Sequence, residues 1–164
     1  MTTLNHSSQN KSLVITGVNE DTRLLVQKIT NKKIEDLVIF SSFGSVISQP
    51  FGCLMRNIIL ATYKEEIDGI YIIGENTYVE EVMSKERLLE NIHAAGVSEE
   101  LINTLNYIDV VNHDLLKWLA GPEDVKETIK NNIDLVKNHP LIMKTIPIYG
   151  YLVDVETGEF DVVS

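Results

Sequence analysis

The chain has 164 residues, 44% of them hydrophobic, with 24 Asp and Glu against 14 Lys and Arg, a formal net charge of −10. That length and apolar content suit one globular core, and the acidity, with no basic stripe, excludes nucleic acid as a partner. No apolar run approaches the ~20 residues of a membrane span, and a single cysteine, Cys53, excludes an internal disulfide and any cysteine-rich metal site.

Residues 1–12 are polar and lack the apolar segment of a signal peptide. They read as a flexible arm of a cytoplasmic protein, ahead of a single domain over residues 13–164. Leu13–Ile15 and Leu37–Phe40 have the short, apolar, β-branched character of buried parallel strands. Between them Asp21–Thr30 is predicted to be a helix with Leu24, Leu25 and Ile29 inward. From Gly52 to Glu66, Leu54, Met55, Ile58, Ile59, Thr62 and Tyr63 recur at helical spacing. A strand, Ile70–Ile73, follows the turn at Asp68-Gly69, so strand, helix and strand alternate as in a βαβ unit.

The stretch from Val79 to Leu119 reads as helical. Val82, Met83, Leu89, Ile92 and Ala95 form one face, and Gly96 is a left-handed stop. Ser98 is placed to cap a further helix with Leu101, Ile102 and Leu105 inward. The next helix is expected to open on Pro122, with Glu123 and Asp124 in its first turn. Its stripe is Val125, Ile129, Ile133 and Val136, and Pro140 ends it by Asn138-His139. The period then changes: Ile146–Val153 reads as a strand, Glu156-Thr157-Gly158 as a turn and Phe160–Val163 as an antiparallel return. The class is α/β, a central mostly parallel sheet flanked by helices with a C-terminal antiparallel strand.

In such sheets, sites lie beyond the carboxyl ends of the strands. Two strand ends are polar: Asn19-Glu20-Asp21-Thr22-Arg23 after the first strand, and Glu75-Asn76-Thr77-Tyr78 after the third. Neither holds a cysteine or a histidine. Four further segments, in order and in register, are Gln49-Pro50-Phe51-Gly52-Cys53-Leu54-Met55-Arg56, Ile72-Ile73-Gly74, Asn138-His139-Pro140-Leu141-Ile142 and the run from Gly150 to Glu159. Together they resemble the β-class carbonic anhydrases, in particular the short bacterial branch, from about Leu13 to Val163. The resemblance implies a tight dimer and a zinc enzyme.

That family holds zinc with a Cys-x-Asp-x-Arg segment after the first strand and a His-x-x-Cys segment after the third. Thiolate and imidazole bind zinc tetrahedrally and acidify its bound water to a pKa of ~7. Here Asp21 and Arg23 match Asp-x-Arg, but Asn19 stands at the cysteine position, Glu75 at the histidine and Tyr78 at the second cysteine. Aligned on the strand instead, the cysteine position falls on Gly17. The family's Arg-Asn-Ala-Gly-Gly segment is likewise changed to Ser41-Ser42-Phe43-Gly44-Ser45. All three protein ligands are lost, and no zinc is expected. Asp21 with Glu75 would offer only oxygens, better matched to a hard cation. His93, His113 and His139 have no helical i, i+4 spacing for a second metal site.

Each remaining residue also has a plain structural reading. Asp21 caps a helix and Arg23 pairs with it or with a neighbouring carboxylate, the rival role for both being anion or small-molecule recognition. Glu75 is an acid or base raised by desolvation, or, favoured, an ion-pair partner of Arg23 or Arg56 across the old metal position. Tyr78 is a packing residue, His139 is structural at a helix end, Trp118 belongs to the core or a dimer contact, and Cys53 is a buried thiol. On that footing Asn19→Cys, Glu75→His and Tyr78→Cys together should rebuild a zinc site. The leading reading is a zinc-free relative without carbon dioxide hydration activity, a homodimeric binding or regulatory module whose ligand is a small anion or a partner protein of inorganic-carbon handling. The rivals are an active carbonate dehydratase or other lyase or hydrolase with a rebuilt site, its chemistry run from Asp21, Arg23, Glu75 and Tyr78 with Asp21 and Arg23 the candidate catalytic residues, and a structural partner of an active paralogue.

Overall fold

The computed structural model of the chain describes residues 10–76, 84–109, 111 and 114–164. They group into two compact units, one within Met1–Asn76 and Val125–Ser164, the other within Thr77–Asp124.

The first unit is built on a five-stranded sheet. Its strands are β1 (Lys11–Thr16), β2 (Leu37–Ser41), β3 (Ile67–Glu75), β4 (Ile148–Val153) and β5 (Phe160–Val162), in the order β2-β1-β3-β4-β5. The first four are parallel, with Leu13 opposite both Val38 and Ile70, and Ile72 opposite Gly150. Only β5 runs antiparallel, Val153 facing Phe160. Side chains alternate between two faces. Leu13, Ile15, Ile70 and Ile72 join one core with Met55 and Ile58 of helix α2 (Cys53–Lys64) and Ile129, Ile133 and Val136 of helix α6 (Val125–Asn138). Val14, Ile73 and Val153 join the other with Val26 of helix α1 (Glu20–Thr30). Burial on both faces is why these strands read as continuous apolar runs.

Several expectations change at this level. Helix α1 turns Thr22, Val26 and Thr30 to the core, and Leu24, expected inward, is 73% exposed. The buried stripe is offset because two threonines, which composition alone marks as surface, supply it. Cys53 is exposed, since it opens α2 on the side away from Met55 and Ile58. Helix α6 starts at Val125 rather than Pro122, after Gly121 takes a positive φ of 69°. The rest of its stripe is as read from the sequence. The turn into β5 depends on Asp154, whose carboxylate accepts from the N–H groups of Glu156 and Thr157 at 3.0 and 3.1 Å.

The second unit holds α3 (Lys85–Ala94), α4 (Glu99–Tyr107) and α5 (Leu115–Ala120). Helix α3 ends as expected at Gly96, whose φ is 94°, with Val97 N–H returning to the Ile92 carbonyl. Ser98 caps α4 through the Leu101 N–H, but Leu101 itself is exposed and only Ile102 is buried. Trp118 on α5 is 40% exposed, so it is not a core residue. Val79, Val82 and Met83 lie outside the described residues.

Candidate functional site

The carboxyl ends of β1 and β3 meet at Gly17 and Glu75. Glu75 is the last residue of β3, on the α1 side of the sheet, in step with Tyr71 and Ile73. Its Oε1 accepts from the Thr22 hydroxyl at 2.6 Å, and the backbone N–H of Asn19 donates to the same carboxylate. Burial raises the Glu75 carboxyl above the ordinary glutamate value, and these two hydrogen bonds pull against that rise without cancelling it. Gly17 is buried, and a Cβ placed on it would stand 2.7 Å from Glu75 Oε1. The carboxylate therefore lies in the space that a side chain at position 17 would take.

Asn19 has a different task. Its side-chain oxygen accepts from the Asp21 N–H at 2.9 Å and caps α1. Of the two alignments open in the sequence, the packing selects Gly17 as the residue facing Glu75. A cysteine at position 19 would remove that helix cap.

The loop after β2 borders the same end of the sheet through a buried polar network. Ser45, 1% exposed and with a φ of 56°, donates from Oγ to the Ile73 carbonyl at 2.7 Å. Asn132 of α6 accepts from the Ile47 N–H at 3.1 Å and donates to the Ser45 carbonyl at 2.5 Å. Sequence reading missed Thr22, Ser45 and Asn132. The one signal for Asn132 was a polar residue beside Ile129, Ile133 and Val136 on the stripe of α6.

Other expected partners are elsewhere. Asp21 is exposed in the first turn of α1 and is not its cap. Arg23 lies on the surface, 3.9 Å from Glu20, and among the described residues no ion pair joins Arg23 or Arg56 to Glu75. The helix turns Arg23 outward because Thr22 takes the inward position. Arg23→Ala should therefore change stability by no more than about 0.5 kcal/mol, checked by urea unfolding, since an exposed pair at this distance contributes little. A loss above 2 kcal/mol would show a buried partner after all. Tyr78 and His113 lie outside the described residues. His93 faces Glu99 at 2.9 Å. His139 is buried: Nδ1 accepts from the Leu141 N–H at 3.2 Å, which leaves Nε2 to donate to the Pro50 carbonyl at 2.8 Å. Both ring nitrogens are thus engaged in holding the chain.

Zinc does not fit what the described residues offer here. It needs three or four Cys, His, Asp or Glu donors converging on a point, and Gly17 contributes no side chain. Glu75 is turned to two neutral hydrogen-bond donors, and among the described residues no three His, Cys, Asp or Glu side chains converge. Nor is the Thr22–Glu75 contact a nucleophile with its base, because Thr22 is fully buried.

No family model matches the chain. It is 33% identical over 145 residues to a Bacillus subtilis protein named "Putative carbonic anhydrase YtiB", covering 87% of this chain and 76% of the other. The identity is again 33% over 145 residues to "Putative carbonic anhydrase YvdA" of the same species, covering 87% and 72%. Among solved structures, β-carbonic anhydrase isoform I of Trichomonas vaginalis superposes with a TM-score of 0.77 at 22% identity, over 99% of this chain and 87% of that one. The sheet order, the C-terminal antiparallel strand and these likenesses agree. The chain belongs to the β-carbonic anhydrase family.

Proposed function

We propose that this chain is a zinc-free member of its family that does not hydrate carbon dioxide and serves as a dimeric binding or regulatory module connected with inorganic carbon. The observation that carries the reading is the Glu75 carboxylate, seated against a bare Gly17 and engaged by Thr22 and Asn19. Two neutral hydrogen-bond donors engage this carboxylate, and Gly17 beside it supplies no second ligand. The dimer is supported by the apolar side chains left outside on the sheet unit, Phe43, Phe51, Tyr63 and Leu141, each at least half exposed. No helix among the described residues is long and apolar enough to cross a membrane.

The second reading, an active carbonate dehydratase with a rebuilt site, draws its support from the names of the Bacillus relatives. Elemental analysis of protein purified without chelator, run beside a carbon dioxide hydration assay, separates the two. The expected result is no stoichiometric zinc, no hydration above the uncatalysed rate, and an unfolding midpoint indifferent to EDTA. One zinc per chain together with catalysis would establish the second reading. Light scattering is expected to return twice the chain mass of 18.5 kDa.

A further inference from the structure

Gly17 is a buried glycine whose backbone does not call for one. Its φ is outside the left-handed range, unlike Gly44, Gly96, Gly121 and Gly158, so conformational freedom is not what the position requires. Space is. The nearest atoms to a Cβ at residue 17 all belong to Glu75: Oε1 at 2.7 Å, Cδ at 3.1 Å and Oε2 at 3.5 Å. The same Oε1 receives the hydroxyl of Thr22, which is fully buried on α1, and Asn19 N–H reaches the carboxylate from the turn between β1 and α1.

We propose that Gly17 and Glu75 are a sterically matched pair through which the chain seals its own strand-end site, the carboxylate being a built-in occupant that ties β3 to the turn between β1 and α1. The inference deepens the zinc-free reading and rests on it. It adds that the module recognises its ligand or partner elsewhere on its surface, because the position between the strand ends is filled from within. A side chain at residue 17 and the seated Glu75 carboxylate exclude each other. An alanine there pushes the carboxylate off Thr22 and Asn19, whereas the same alanine is harmless once Glu75 has been shortened.

The test is a thermal-unfolding cycle on the full chain: wild type, Gly17→Ala, Glu75→Ala and the double variant. Gly17→Ala is expected to lower Tm by roughly 3–6 °C, the size expected for losing one or two hydrogen bonds in a domain of this length. In the Glu75→Ala background the same substitution should shift Tm by less than about 1 °C, since the clash has gone. If Gly17→Ala gives no folded protein, cooperative unfolding of the double variant supports the pair. A double variant that fails where Glu75→Ala folds overturns it. Equal Tm losses in both backgrounds overturn it too, because the glycine then answers to something other than Glu75. So does the absence of any loss in either. Zinc content is read separately on wild-type protein, so a metal-bearing wild type refutes the zinc-free reading whatever the cycle shows.

Discussion

Asn132→Ala should lower the free energy of unfolding by about 3–4 kcal/mol, because it strands two buried backbone groups that water cannot reach. The Asn132 side chain is 2% exposed and is the partner of both the Ile47 N–H and the Ser45 carbonyl. Leaving a buried donor or acceptor unmade costs about 1–3 kcal/mol each, well above the net gain of an ordinary hydrogen bond. The consequence reaches the strand ends, since Ser45 is also tied to the Ile73 carbonyl and holds a positive φ that a side-chain-bearing residue adopts at a cost. Equilibrium urea unfolding measures the loss. Asn132→Asp is a useful companion: it keeps an acceptor for Ile47 but turns an oxygen toward the Ser45 carbonyl, so it too should destabilise at neutral pH. A loss below 1 kcal/mol for Asn132→Ala would mean that the loop after β2 finds other partners.

The second large effect is expected at Gly74 on β3, beneath α6. A Cβ there would meet Val125 Cγ1 at 2.6 Å and Ile129 Cδ1 and Cγ1 at 2.8 and 2.9 Å. Ile129 is fully buried against the sheet, so its side chain has no free volume to retreat into. Gly74→Ala should cost about 3 kcal/mol, near the top of the usual range for overpacking a core. Gly150 on β4 faces the same helix, with Ile133 Cδ1 at 2.6 Å and Ile129 Cγ2 at 2.7 Å, so α6 lies on two bare strand positions. Trimming the helix tests the cause: Ile129→Val removes one of the colliding atoms, and combined with Gly74→Ala it should cost less than the sum of the two changes. Strict additivity would place the strain elsewhere.

Much of the fold was legible because its signals are local. Leu13–Ile15, Leu37–Phe40 and Ile70–Ile73 each lie inside an observed strand, and the stripe from Val125 to Val136 is the buried face of α6. Gly96 and Ser98 end and begin their helices as read, since a stop or a cap is decided within a few residues. The errors in α1 have a physical origin. Apolarity placed Leu24 inside, but a helix facing both a sheet and a strand end can bury Thr22 and Thr30, whose hydroxyls find partners in Glu75 and the Val26 carbonyl. The inward face then follows those threonines, and Leu24 and Arg23 go to solvent.

The site divides in the same way. That Asn19 or Gly17, and Glu75, stand where the family resemblance would put cysteine and histidine is a matter of residue identity, and the sequence alone was enough to read it. Which of Asn19 and Gly17 faces Glu75, and which group satisfies that carboxylate, was decided only in three dimensions. Counting along the chain leaves both positions open, and formal charge favours an arginine. Strand register brings the ends of β1 and β3 together, the cap turns Asn19 into its own helix, and a buried hydroxyl one residue from Arg23 reaches Glu75 instead. Long-range register and the exclusion of atoms from one another carry that choice, and neither is written in the spacing of residues.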